Sequence, residues 1–190
     1  GHYSKIGFAM DPAASEFYHK DIDKYEVYKN KFMDRYELVE YYAALARDYK
    51  IISIEDPFHE DDFEGFAALT KKIGKKVQIV GDDLTVSNIE RIKLAIEQKL
   101  CNALLLKVNQ IGSVTEALDA VFLARSAGWN VMVSHRSGET EDPFIADLAV
   151  GIGCGQIKLG APARGERTAK YNQLLRISDV FPRMKLGEFK

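Results

Sequence analysis

At 190 residues, 46% of them hydrophobic and 28% charged, the chain can bury a sizeable core as one domain and is too apolar for a disordered tail. A formal net charge of −2 leaves no general basic field for nucleic acid or an anionic membrane, so any anion must be bound locally. Cys101 and Cys154 lack a CxxC partner, and no signal peptide or apolar stretch of about 18 residues is present, which predicts free thiols in a cytoplasmic protein without a membrane span.

The first apolar run, IGFAMD, ends on Asp11. From Phe17 to Lys31 aromatic and charged residues alternate around Lys20 to Asp23, which predicts a surface hairpin inserted after a first strand. Leu38, Val39, Tyr42, Leu45, Ala46 and Tyr49 then mark a helix, and IISIED a strand ending on Glu55. A helix over Phe63 to Ile73 precedes QIVGDD, a strand running to Asp82. The next two helices carry Ser-x-x-Glu starts, at Ser87/Glu90 and Ser113/Glu116, a pattern that satisfies free amides at a helix N-terminus. Ile89, Ile92, Ala95 and Ile96 give the first its apolar face; Ala117, Val121 and Ala124 give the second its own, and Gly128 stops it. Between them ALLLK ends on Lys107, and after them VMVSH ends on His135 and GQIK on Lys158. A terminal helix is expected from about Arg164 to Asp179.

The six run ends are 44, 27, 25, 28 and 23 residues apart, about one strand plus one helix once the hairpin has lengthened the first gap. Repeated strand–helix units predict an α/β fold with parallel strands, and a barrel of such strands gathers their C-terminal ends at one mouth. A complete eight-stranded barrel usually needs about 250 residues. Six strands in this length read as a partial barrel, a fragment of a longer chain.

Asp11, Glu55 and Asp82 would then crowd three carboxylates at one low-dielectric mouth, where a hard divalent cation relieves their repulsion. Oxygen ligands without neighbouring Cys or His point to magnesium or manganese. The competing reading for each acid taken singly is a helix cap or a lysine partner. Asp56 and Asp83 are expected on the opposite side, in supporting roles. Lys107, its stem among apolar residues and its ammonium near the cation, sits where a lysine can take a proton from carbon; pairing with a ligand carboxylate is its alternative role. Lys158, beside Gly155 and Gly160, reads as a partner for an oxyanion. Ser134, His135, Arg136, Ser137, Gly138 and Glu139 form the densest polar cluster, suited to phosphate or carboxylate, with a hydrogen-bonded loop as the plainer reading. It is not a serine-hydrolase elbow, since Gly-x-Ser-x-Gly is absent. Gly151 to Gly155 lack the endings of a nucleotide loop and are expected to serve helix–strand packing, and His59 to Asp62 a solvated helix start.

The segments AMDPAASEFY, SIEDPF, GDDLTVSN, ALLLKVNQIGS, VSHRSGETED, GQIKLGAPAR and AKYNQLLRI, in that order, closely resemble the enolases (phosphopyruvate hydratases), over Lys5 to about Ser178. The resemblance implies that residues 1–190 are the C-terminal part of an enolase-type TIM-like barrel, the family's N-terminal domain and first barrel strands being absent. It implies magnesium, two ions per site, with Asp11, Glu55 and Asp82 as metal ligands and Lys107 as proton acceptor. It assigns Lys158 to stabilising the intermediate, and Ser134, His135, Arg136 and Ser137 to substrate contact, with Glu55, Asp82 and Lys158 also at the substrate. The implied reaction is reversible dehydration of 2-phosphoglycerate to phosphoenolpyruvate in glycolysis and gluconeogenesis, by a cytoplasmic homodimer.

The sequence departs from the family at several points. Leu159 stands where threonine is usual, Gly165 where serine is common, and FPRMKLGEFK is not the usual ending. The family's acid-catalyst glutamates, a substrate-contacting histidine and its closing loops lie in the absent part. The alternative reading is therefore a non-catalytic enolase-derived fragment acting as a binding or assembly module.

Overall fold

The computed structural model describes residues 6–185 and 187; Lys5 and the final residues of FPRMKLGEFK fall outside the described residues. β1 (Phe8–Met10) passes through a 3₁₀ turn at Ala14–Phe17 into an antiparallel sheet of β2 (Tyr18–His19), β3 (Lys24–Tyr28) and β4 (Lys31–Met33). Strand and helix then alternate: α1 (Arg35–Asp48), β5 (Ile51–Glu55), α2 (Phe63–Ile73), β6 (Gln78–Gly81), α3 (Ile89–Glu97) and β7 (Ala103–Leu106). The short α4 (Val108–Ile111), α5 (Val114–Ser126), β8 (Asn130–Ser134), α6 (Phe144–Gly151), β9 (Ile157–Lys158) and α7 (Gly165–Val180) complete the chain.

The six strands at the expected positions form one parallel sheet in the order β1-β5-β6-β7-β8-β9. This is six of a barrel's eight strands, curled so that one face looks inward. Alternation along β7 shows the two faces. Leu104 and Leu106 join the large core between sheet and helices, whereas Ala103 and Leu105 join Val80 and Met132 on the inner face. The central strands β6 and β7 are buried along their whole length, and β7 is apolar on both faces, as a covered parallel strand requires, whereas the edge strand β1 leaves Phe8 63% exposed. Towards the N-terminal ends of the strands the inner face is polar and satisfied. Gln78 donates to Ser53 Oγ at 3.2 Å and exchanges amide hydrogen bonds with Gln156, both at 2.9 Å, while Asn130 donates to Gln78 Oε1.

The predicted hairpin is a three-stranded sheet, and its alternation has a buried side: Tyr25 lies in a cluster with Phe17, Tyr18 and Phe58. The Tyr25 hydroxyl donates to Asp62 at 2.7 Å and accepts from the His59 amide. Asp62 is consequently buried, N-caps α2 by accepting the Gly65 amide, and has Arg35 at 3.4 Å. The expectation of a wholly solvated helix start is thus wrong at Asp62, because a tyrosine 37 residues away covers it.

α1 begins with a reciprocal capping box between Asp34 and Glu37. Ser113 caps α5 as expected, accepting the Glu116 amide. Ser87 does not cap α3; that position belongs to Asn88, which accepts the Glu90 and Arg91 amides. The glycines of residues 151–155 also answer to a different need. Gly153 and Gly155 adopt positive φ of 60° and 74° in the turn between α6 and β9, and no helix or strand presses on Gly151 or Gly153. Both cysteines are free thiols, Cys101 buried and Cys154 half-buried. Among the described residues no helix is long and apolar enough to cross a membrane.

Candidate functional site

Parallel pairing in register brings the ends of β1, β5, β6, β7, β8 and β9 to one rim. Asp11 follows β1, Glu55 closes β5, Asp82 follows β6, Lys107 follows β7, Ser134 closes β8 and Lys158 closes β9. A cavity of about 720 Å³ opens there, lined by Asp11, Asp82, Lys107, Lys158, Ser134, His135, Arg136 and Ser137. Glu16, Asp83, Asn109 and Gly138 complete the lining. Glu55 is buried beneath it and joins through Lys158, whose ammonium donates to Asp11 Oδ2 at 2.6 Å and to Glu55 Oε1 at 2.7 Å. The Lys107 ammonium donates to Asp82 Oδ2. All nine residues singled out from the sequence therefore share one mouth, and both lysines pair with the acids, the contact weighed from the sequence as the alternative role of Lys107 and of each acid taken singly.

Burial dominates the electrostatics. It pushes Glu55 up to about 8 against the pull of Lys158, with the Asp11 and Asp82 charges adding to the rise. Asp82 is raised by the same cause, with Lys107 opposing it. Lys158 is pulled down by burial, but Glu55 and Asp11 outweigh that and leave it above the ordinary lysine value. Burial, then the Arg167 charge, holds His135 below the usual histidine value, which favours the neutral imidazole. Burial thus keeps the ionised forms of Glu55 and Asp82 costly even with a lysine beside each.

Several supports are built from residues the sequence singles out for other roles or not at all. Asp56, at φ 40° and pushed up to about 7 by burial, accepts the amides of Asp82 at 2.9 Å and Asp83 at 2.8 Å, fixing the turn that presents Asp82. Its supporting role is as expected. Asp83 departs from expectation: β6 ends at Gly81, so strand alternation no longer governs it and it faces the cavity. Ser87 is buried at φ 54° and accepts the Lys107 amide at 2.9 Å. Glu16 and Asn109 are lining residues missed from the sequence, although both lie within the quoted motifs AMDPAASEFY and ALLLKVNQIGS.

The donor set suits a hard divalent cation. It is all oxygen, and Asp82 Oδ1 is buried with no hydrogen-bond donor. Asp56, Asp82 and Asp83 also bring carboxylate oxygens within 4.8 Å of one another, but both Asp56 oxygens already accept backbone amides, which leaves that aspartate little to offer an ion.

A family model described as "Enolase, C-terminal TIM barrel domain" matches residues 1–185. The chain is 61% identical over 175 residues to the enolase of Methanopyrus kandleri, covering 92% of this chain and 41% of that protein. It is 60% identical over 177 residues to the enolase of Methanocaldococcus jannaschii, 93% of this chain and 41% of the relative. With the enolase of Eimeria tenella it shares 55% identity over 186 residues, 94% and 42% of the two chains. The chain thus spans about two-fifths of the length of the curated relatives it matches. A partial parallel barrel, its strand-end site and this similarity along nearly the whole sequence agree: the chain belongs to the enolase family, of whose C-terminal TIM barrel domain it carries six strands.

Proposed function

We propose that this domain carries the proton-abstracting half of an enolase site, a magnesium-dependent lyase that interconverts 2-phosphoglycerate and phosphoenolpyruvate. The observation that carries this reading is the convergence of Asp11, Asp82, Lys107 and Lys158, with Glu55 beneath them, on one cavity faced by Arg136 and Ser137, where Asp82 Oδ1 is buried without a hydrogen-bond donor. Asp11, Glu55 and Asp82 would hold the magnesium, whose charge makes the carbon next to a bound carboxylate acidic enough to ionise. Lys107, anchored through its amide by Ser87, takes the proton from that carbon. Lys158 offers its ammonium to the negative charge that develops on the carboxylate. The Arg136 guanidinium, within 3.3 Å of Asn109 Oδ1, and the exposed Ser137 hydroxyl take the phosphate. Protonation of the departing hydroxide falls to a group outside the matched residues, supplied by the rest of a longer, cytoplasmic and dimeric enzyme.

The test is phosphoenolpyruvate formation by this polypeptide with and without magnesium, alongside exchange of the α-proton of 2-phosphoglycerate in a full-length enzyme. Lys107→Ala should abolish exchange there while magnesium binding persists. Retained exchange removes Lys107 as the base. Magnesium binding by the polypeptide without product formation favours the module reading for the isolated domain.

A further inference from the structure

Arg136 and Ser137 reach the cavity from the connection between β8 and α6, and an exposed connection has no intrinsic reason to keep one shape. This one is tied to the interior of α7. Lys170 is 1% exposed, and its ammonium meets three acceptors, one for each hydrogen. These are Glu139 Oε2 at 2.7 Å, the Glu166 carbonyl at 2.7 Å and the Thr140 carbonyl. The Glu139 carboxylate divides its work: Oε2 faces Lys170 and the Thr140 amide, and Oε1 accepts the Arg136 amide at 2.9 Å. A continuous chain of hydrogen bonds therefore runs from the buried face of a helix to the backbone of Arg136. An ammonium is costly to bury unless every proton is used, and an apolar side chain of similar length would fill the same volume. What methionine could not do is hold Glu139 and Thr140 in place.

We propose that Lys170 and Glu139 are positioning residues that hold the Arg136–Ser137 backbone in its anion-binding shape. The proposal rests on the reading that this cavity takes a phosphorylated substrate. Neither residue reaches the cavity lining; both act through the loop.

The experiment titrates the folded 190-residue chain, isotopically labelled, with inorganic phosphate and separately with magnesium. Wild type is compared with Lys170→Met, Lys170→Arg and Glu139→Gln, and amide exchange is followed at Arg136 and Thr140. Lys170→Met and Glu139→Gln should weaken phosphate about tenfold, as expected for one lost charge-assisted bond, and speed exchange at Arg136 by a similar factor. Magnesium affinity should stay within about twofold, and Lys170→Arg should recover part of the phosphate affinity. A merely structural lysine would weaken both ligands together or neither. Absence of phosphate binding by the wild type overturns the phosphorylated-substrate reading, and the positioning role with it. Phosphate binding by the wild type that is unchanged in both variants, with unaltered Arg136 exchange, overturns the positioning role alone. If Lys170→Met fails to fold, Glu139→Gln, partly exposed at its side chain, decides by the same measurements.

Discussion

Ser87 offers the sharpest test of how the fold holds the lysine at the end of β7. Its Oγ accepts the Lys107 amide at 2.9 Å and reaches Leu105 O and Gln110 Oε1 at 3.4 and 3.3 Å, in a residue that is fully buried. Ser87→Ala leaves the Lys107 N–H without its partner, and an unmade buried donor costs about 1–3 kcal/mol. The backbone adds a second effect, because Ser87 sits at φ 54°, where a Cβ costs roughly 1–2 kcal/mol. Ser87→Gly loses the same hydrogen bond but sheds that strain, offset in part by the greater freedom of glycine in the unfolded chain. The expected order of stability is wild type, then glycine, then alanine, with alanine lower than wild type by about 2 kcal/mol. Glycine should recover a fraction of that loss, the reverse of its usual effect. Urea unfolding of the three proteins measures the order, and amide exchange at Lys107 locates the cause. An alanine variant within about 0.5 kcal/mol of wild type, or a glycine variant below alanine, would refute the argument.

Tyr25→Phe removes the donor to Asp62 and the acceptor for the His59 amide at a fully buried site, and should cost about 3 kcal/mol in urea unfolding. Gly65→Ala places a Cβ 2.7 Å from the Phe58 ring, which is boxed in by Tyr25, Tyr42 and Phe66; a loss of about 1–3 kcal/mol should appear as a lower Tm. Because burial raises Glu55 to about 8, its contribution to metal-free stability is present below the ordinary carboxylate value and is lost as pH rises through about 8. Glu55→Gln should flatten that part of the stability profile, as followed by thermal melts across pH. Magnesium has the opposite sign. It needs the ionised carboxylate, so its affinity should rise with pH up to about 8, with proton release measurable by calorimetry in buffers of different ionisation heat. An affinity independent of pH over that window would remove Glu55 from the ligand set.

The central strand ends were legible because burial along β6 and β7 writes near-continuous apolar runs, and the first charged residue after each run marks where the sheet stops. What periodicity leaves open is which of two similar patterns the tertiary structure will use. Ser87-x-x-Glu90 and Ser113-x-x-Glu116 look alike, yet Ser113 faces solvent and caps its helix, whereas Ser87 is drawn inward by Lys107, 20 residues away in sequence. Lys170 looks like any solvent-facing helix lysine until Glu139, 31 residues earlier, is placed against it. Curvature is the largest such gap. Strand order puts β1 and β9 at opposite edges of the sheet, and five spacings of about 4.8 Å would hold them roughly 24 Å apart if it were flat. Lys158 on β9 nevertheless donates to Asp11 beside β1 at 2.6 Å, a pairing across 147 residues, and Gln156 meets Gln78 three strands away at 2.9 Å. Two side chains cannot bridge a flat sheet of that width, so the sheet must curl until its edges face one another across the mouth. The same curl brings the acid of the first strand and the lysine of the last into one site, so fold closure and site assembly are a single geometric event. Lys158→Ala should therefore loosen the β1 edge as well as the site, visible as faster amide exchange in β1 with the β6–β8 amides unchanged.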